Sequence, residues 1–582
     1  AQQNFNSIAV LYDDKYYDSS ENVSARGLVE FNTNNEKYGV FQGLTLTMNL
    51  GADYVNGSYT FYYNPLFGNA SGSGRLGKEA NKTFSYTFNQ VLNWNRTFDM
   101  HNFDLMFGHE FYSYKFNHLS ASKTGFPFPE IYELAPGSSI ADATSYENNE
   151  TLDSYFSRLN YNFMDKYYLS ASYRRDGSSR FHKDYRWGDF WSLGTSWRVS
   201  EESFMENLDW VDNLTLKASY GTQGNNRVGL YAWQAFYDLT WSNANSNGAK
   251  ASSVENMMVS WEKNASFNTG FDAVMLNSRL FVGFDWYTRK TTDMLLNKPL
   301  PFSSGFTGYN DNVGDMKNWG FDLSVGYDFI KTRDLVWNVT AMGSKVNNEV
   351  TRLTDEQNEI IGGSTIIRVG EQINTFLMAR SAGVDPATGD QLYWVFDDKD
   401  DEHDRSKHYV SSDKSKAASS RVLLGSRIPD LYGSLSTTLA YKGFDFSMMG
   451  TYSLGGKIYD YVGYNYTNPL YIGNNWSREV LRAWKQPGDI TDIPRVQKGL
   501  THTLNDRALV DASYFAFKNI AVGYTFQLKN AGIESIRIFA QGDNLAIFSA
   551  RQGLNPQYDF SGSTDFAYTP NRVISGGLNI KF

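Results

Sequence analysis

Along most of this chain, apolar and polar residues alternate in stretches of roughly ten residues separated by turn-forming segments. The clearest stretch is 318–329, where Trp319, Phe321, Leu323, Val325, Tyr327 and Phe329 alternate with Asn318, Gly320, Asp322, Ser324, Gly326 and Asp328. Residues 213–221 repeat it, with Leu214, Leu216, Ala218 and Tyr220 set against Asn213, Thr215, Lys217, Ser219 and Gly221. So do Leu280, Val282, Phe284 and Trp286, which alternate with Phe281, Gly283 and Asp285. Successive side chains of a strand point to opposite faces, so the pattern reads as strands with one dry and one wet face. Seventeen strands are predicted, near 22–33, 43–56, 82–94, 100–113, 152–162, 166–174, 188–198, 212–221, 261–273, 279–290, 317–329, 334–344, 432–441, 443–452, 514–527, 535–543 and 572–582. Their connections run short, then long, in turn. Met164-Asp165 and Lys331-Thr332-Arg333 are tight, whereas 222–260, 345–431 and 453–513 are long.

A water-soluble sandwich would alternate too, so the pattern alone does not decide the environment. Three further features do. The polar face is rich in Gly, Ser, Asn and Asp while the apolar face carries aromatics at its ends, as when lipid lies outside and a wet lumen inside. Short turns on one side and long loops on the other are the outer-membrane arrangement. The last strand places Ile574, Leu578, Ile580 and Phe582 on one face, and a final strand closing on an aromatic, Phe582, resembles an outer-membrane assembly signal. The expected fold is all-β: a transmembrane antiparallel β-barrel with long extracellular loops over 345–431 and 453–513.

Composition supports this. Aromatic residues make up 16% of the 582, yet the mean hydropathy is −0.47 and only 20% of residues are charged. Aromatic richness with average polarity fits alternation better than a helical bundle or a disordered tail. No stretch approaches 18 consecutive apolar residues, which excludes transmembrane helices. The net charge of −10 offers no basic stripe for phosphates, so no nucleic-acid partner is expected. Without cysteine there is no disulfide framework, thiolate nucleophile or cysteine-bound metal. The chain starts at Ala1 with neither Met nor a leader-like segment, so a removed leader or a longer parent is expected. Bacterial single-chain barrels have even strand numbers, so seventeen implies an odd number before Ala1 and puts residues 1–21 in an outer loop.

Several segments resemble the SusC-like branch of TonB-dependent outer-membrane transporters of Gram-negative bacteria. They are 173–204 (YRRDGSSRFHKDYRWGDFWSLGTSWRVSEESF), 216–226 (LKASYGTQGNN), 261–301 (opening Trp261-Glu262-Lys263 and ending KPLP), 486–494 (QPGDITDIP), 513–526 (SYFAFKNIAVGYTF) and 536–556 (IRIFAQGDNLAIFSARQGLNP). The resemblance runs from about residue 20 to 582. It implies a 22-stranded barrel of which 1–582 is the C-terminal portion, with the plug domain and first strands in a separate or missing chain. It also implies contact with TonB through the plug, a SusD-like surface lipoprotein acting as lid, and import of oligosaccharides or, as runner-up, oligopeptides. A passive porin or a surface adhesin would share the barrel but not the lid.

No catalytic constellation stands out, and no enzyme or cofactor is expected. His101, His109 and His118 are not spaced as a zinc site. The run Arg174–Phe181 resembles an anion grip, but the plainer reading has Asp176-Gly177 in a turn and the arginines paired with Asp176, Asp184 or Asp189. In the acidic run 397–404, Asp398, Asp400 and Glu402 sit at alternate positions suited to calcium, yet His403 stands where the sharp turn wants Gly, and a solvated loop is the plainer reading. The loop aromatics are the best candidates for substrate or lid contact: Trp233, Tyr237 and Trp241, then Tyr459, Tyr461, Tyr464, Tyr466, Tyr471 and Trp476. Sugar rings stack on aromatic faces, and the neighbouring asparagines suit hydroxyl groups. Long ordered loops also need mini-cores, which aromatics supply, so any single ring has a packing alternative.

Overall fold

The computed structural model describes residues 6–582 apart from 244–245, 355–357, 398–403, 468–475, 498–499, 501, 529–531, 558–561 and 565–568. Among the described residues, seventeen long strands form one antiparallel sheet. They are β1 (Lys15–Asn32), β2 (Leu44–Tyr63), β3 (Arg75–Phe98), β4 (His101–Thr124), β5 (Ser139–Phe163), β6 (Tyr167–Ser178), β7 (Trp187–Arg198), β8 (Val211–Asn225), β9 (Glu262–Met275), β10 (Leu280–Thr292), β11 (Asp315–Lys331), β12 (Leu335–Arg352), β13 (Leu431–Tyr441), β14 (Phe444–Leu454), β15 (Tyr514–Gln527), β16 (Ser535–Ser549) and β17 (Val573–Lys581). Each coincides with one predicted strand, and the ladders join neighbours in chain order. Examples are Lys15↔Tyr62 in β1–β2, Phe98↔His101 in β3–β4 and Phe444↔Tyr524 in β14–β15.

The short connections are as tight as expected. Met164 and Asp165 have φ of 57° and 54°. Two successive left-handed residues make the mirror-image turn whose twist suits a hairpin, and Asn162 Oδ1 steadies it by accepting the Asp165 N–H at 2.9 Å.

The ends of the strands depart from expectation. β3, β4 and β5 run for 24, 24 and 25 residues, about 80 Å at the usual rise. A lipid-facing band is only about 25 Å tall, so these ladders continue into water. Beyond the band, segments such as Asn117–Thr124 and Ser139–Glu150 keep their backbone bonds but lose the apolar alternation that made strands legible. The segment 1–21, expected to be an outer loop, is corrected for the same reason: Ser7–Asp13 is a helical turn pair and Lys15–Glu21 already belong to β1. Asp176-Gly177 is likewise strand rather than turn, since Ser154↔Asp176 and Asp153↔Gly177 extend the β5–β6 ladder and the reversal falls at 179–186. Phe582 lies one residue beyond β17, 84% exposed.

The chain divides into two compact units. One holds Ala1–Thr195, Tyr220–Ala265 and Thr292–Val313; the other holds Ser196–Ser219, Ser266–Thr291 and Gly314–Phe582. Among the described residues of either unit no second layer covers the apolar strand rows: Phe84 and Phe107 in the first, and Leu323, Phe329, Val522 and Ile538 in the second, are exposed. The large fully buried side chains, such as Tyr62, Phe181, Phe376, Tyr393 and Leu554, lie in or beside the long connections instead. On the polar faces, charges pair across strands, as where Lys217 Nζ reaches Asp272 at 3.1 Å and Asp285 at 3.0 Å, and Arg537 grips Asp445 at 2.6 Å. Dry rows left open and wet rows internally paired are what a strand between lipid and lumen requires. No helix of the described residues is long and apolar enough to cross a membrane.

Candidate functional site

The long connections are built structures with their own cores. In the first unit, Phe181, Phe190, Val228, Val259 and Trp261 form one such core beneath the 226–261 connection. Trp233 packs on it and meets His182 edge-on, with ring centroids 5.2 Å apart, so this candidate spends most of its ring on packing. The connection is braced from β5. Glu150 takes a bidentate grip from Arg180 at 2.6 and 2.9 Å, Arg180 also donates to the Val228 carbonyl, and the Tyr231 hydroxyl accepts the Asn149 N–H at 2.7 Å. The carboxylate beside it holds the Arg180 guanidinium above its ordinary value.

Tyr237 and Trp241 stand apart from this core. A small hairpin pairs Tyr237–Asp238 with Lys250–Ala251 and leaves the two rings 65% and 53% exposed. Trp241 is nevertheless fixed: its indole N–H donates to Asp238 Oδ2 at 3.0 Å, and Lys250 Nζ lies 4.7 Å from the ring centroid. The hydroxyl and backbone N–H of Thr240 hold the Asp238 carboxyl below the usual carboxylate range. An exposed ring held this way offers a flat apolar face at little entropic cost on binding.

In the second unit, Tyr459 is buried with Phe376, Met378 and Ala508, and burial pushes its phenol well above the usual value. Tyr464 packs against the same core, with Arg507 5.4 Å from its ring centroid. Tyr461 is 40% exposed at the start of the helical turn Tyr461–Thr467, and Trp476 is half-buried. Tyr466 belongs to that turn by its backbone; its side chain, and Tyr471 entirely, lie outside the described residues, as do Asp398, Asp400 and Glu402. Among the described residues no cluster of His, Asp or Glu is arranged to hold a metal.

Sequence reasoning passed over Asp460. Almost fully buried, it accepts two bonds from Arg551, one at 2.6 Å, with the Gly463 N–H at 3.0 Å and the Thr564 hydroxyl at 3.2 Å, tying the 461–467 turn to the 550–572 connection. Nothing local in the chain signals a pairing across 91 residues. Nearby, Tyr393 is pushed up to about 12 by burial and accepts the Thr503 N–H at 3.2 Å, while burial lowers His502 to about 4. In the Arg174–Phe181 run the plainer reading holds in part. Arg174 pairs with Asp176 at 2.7 Å and Arg175 with Asp189 at 3.5 Å, but Asp184 meets His182 at 3.4 Å and Arg180 is the brace on Glu150.

Residues 2–545 match the family described as TonB dependent receptor-like, beta-barrel. Among curated relatives, TonB-dependent receptor P3 of Formosa agariphila is 26% identical over 97% of this chain and 57% of its own length. TonB-dependent receptor SusC of Bacteroides thetaiotaomicron is 26% identical over 94% of this chain and 55% of its own. The chain thus spans a little over half the length of the curated relatives it matches. The solved structure titled as that of the RagAB peptide transporter superimposes with a TM-score of 0.86 at 26% identity, over 98% of this chain and 63% of that one. With its seventeen-stranded sheet, uncovered apolar rows and internally paired wet face, the chain belongs to the TonB-dependent receptor β-barrel family, on its SusC-like side, and is a protein of the bacterial outer membrane.

Proposed function

We propose that this chain forms the wall and most outer loops of a TonB-dependent importer that takes up oligosaccharides with a SusD-like surface lipoprotein as lid. A barrel of the 22 strands that the resemblance implies would leak if open, so a plug displaced through TonB must close it between cycles. The loops then present cargo-binding surface beneath the lid. The observation that carries the glycan reading is the exposed pair Tyr237 and Trp241, the second immobilised between Asp238 and Lys250. Flat, pre-oriented rings suit the apolar faces of sugars.

A second reading, oligopeptide cargo, draws on the likeness to the structure titled as a peptide transporter. Mass spectrometry of material co-purifying with the transporter from its native outer membrane separates the two. Glycan is the expected cargo, accompanied by a lipoprotein of SusD type. Peptide alone would reverse the cargo assignment, and a stable preparation free of any lipoprotein would count against the lid.

A further inference from the structure

A cleft of about 520 Å³ opens in the first unit between the 229–236 segment, Ser253–Val254, Asn148 of β5 and the hairpin Leu295–Pro299/Gly308–Asn312. Four carboxamides line it: Asn148, Gln234, Asn297 and Asn310. The backbones of these residues are committed to ladders and turns, but among the described residues none of the four side-chain amides has a hydrogen-bond partner. Three rings complete the wall: Tyr231, Phe236 and Tyr309.

Among the described residues that line it, no side chain is charged. Two carboxylates close along the chain to the lining residues, Glu150 and Asp311, are occupied. Glu150 is gripped by Arg180, and Asp311 accepts from Asn256 Nδ2 at 3.1 Å, the Asn312 N–H at 3.0 Å and the Tyr309 hydroxyl at 3.4 Å. The walls are also held in place. Asn256 Nδ2 donates to the Asn310 carbonyl at 2.9 Å, Ser253 Oγ accepts the Phe236 N–H at 2.9 Å, and Asn312 ties the hairpin to Ser260 at 2.7 and 3.0 Å. Gly308 keeps the floor open, since a Cβ there would fall 2.4 Å from Asn297 Oδ1.

We infer that this cleft is a binding subsite for an uncharged stretch of oligosaccharide, its rings stacked on Phe236 and its hydroxyls bonded by Gln234 and Asn297. Each free carboxamide offers two donors and an acceptor, matching vicinal hydroxyls that both give and take. With no guanidinium or ammonium among the described residues of the wall, a uronate or sulfate finds no counter-charge there, so acidic glycans pay desolvation without return. The inference rests on the glycan reading above and narrows it to neutral chains.

The test uses the transporter with its partners, purified in detergent, and titrates it with hexamers of glucose, mannose and xylose, an oligogalacturonate hexamer, and a capped neutral hexapeptide. The expected result is binding of at least one neutral hexamer, weakened about tenfold or more in Gln234→Ala/Asn297→Ala and in Phe236→Ala, with no measurable oligogalacturonate binding. Heat-modifiable migration on gels reports whether each variant still folds, and Asn297→Asp serves as a second variant expected to weaken neutral ligands without emptying the cleft. A neutral hexamer bound equally well by all variants would overturn the subsite while leaving glycan import intact. Preference for the oligogalacturonate would overturn the charge argument, and binding of the peptide alone, or of nothing, would remove the glycan reading and this inference together.

Discussion

At the scale of single residues, a few charged and titratable groups decide how firmly the outer connections are held. Arg180 is the clearest case, because Glu150 is largely buried and has its two oxygens satisfied by one guanidinium. Arg180→Ala leaves that carboxylate without its donors, at a cost of roughly 1.5–3 kcal/mol. Since Arg180 also holds the Val228 carbonyl, the expected readout is faster limited proteolysis within 226–261, with the membrane-embedded strands unaffected. His502 makes a pH prediction. Burial, assisted by the nearby Arg507 and Lys414 charges, lowers it to about 4, whereas an unfolded histidine titrates near 6.5. The unfolded segment therefore takes up its proton first as pH falls. The contribution of His502 to stability is complete above about pH 6.5 and is lost progressively down to about pH 4. Asp506 is raised by burial and works in the opposite sense, its folded form being relieved as pH falls. Hydrogen exchange over 502–511 in the parent and in His502→Gln isolates the histidine: the parent should lose more protection between pH 6.5 and 4 than the variant, and equal losses would refute the assignment.

At the scale of elements, every long strand was legible in the sequence, because each has a lipid face and a water face that demand opposite chemistry at alternate positions. β11 shows this most fully, with Leu323 exposed on the apolar row and Ser324 on the other. Leu323→Arg should cost about 2–4 kcal/mol if Leu323 lies near the bilayer midplane, while Ser324→Arg should be much milder. Folded yield in the outer-membrane fraction, scored by heat-modifiable migration, checks the difference; equal yields would remove the lipid from one face. The far ends of β3, β4 and β5 were illegible because above the membrane both faces meet water and no alternation is imposed. The small loop sheets, such as Glu359–Gly362 with Thr365–Arg368 and Arg380–Val384 with Gln391–Val395, escaped for a related reason: their strands are four or five residues long, too short for a period to register.

At the scale of the whole molecule, the uncovered apolar rows carry the prediction. A sheet with Phe84, Phe107, Leu323 and Ile538 in the open cannot be stable in water alone, since exposed apolar area of this extent drives association. The protein should fractionate with the outer membrane and remain monodisperse only in detergent; a monodisperse preparation in plain buffer would contradict the membrane assignment. The loop aromatics singled out from sequence divide at this scale. Trp233, Tyr459 and Tyr464 went to mini-cores, while Tyr237, Trp241 and Tyr461 stayed at the surface. Nothing in a ring's immediate neighbours tells the two fates apart, because the core that claims Trp233 is assembled from Phe181, Phe190, Val228, Val259 and Trp261, separated by as many as 80 residues along the chain.

The amino-acid sequence by itself determined the strands, the alternation of tight and long connections, and the membrane setting. All three follow from a period-two contrast between hydrocarbon and water that is written locally, residue by residue. Tertiary structure alone decided which aromatics stayed free, which carboxylate braces a loop, and that Asn148, Gln234, Asn297 and Asn310 share one uncharged cleft. Those outcomes depend on loop closure, which brings together side chains from distant segments whose individual chemistry is ordinary until they meet.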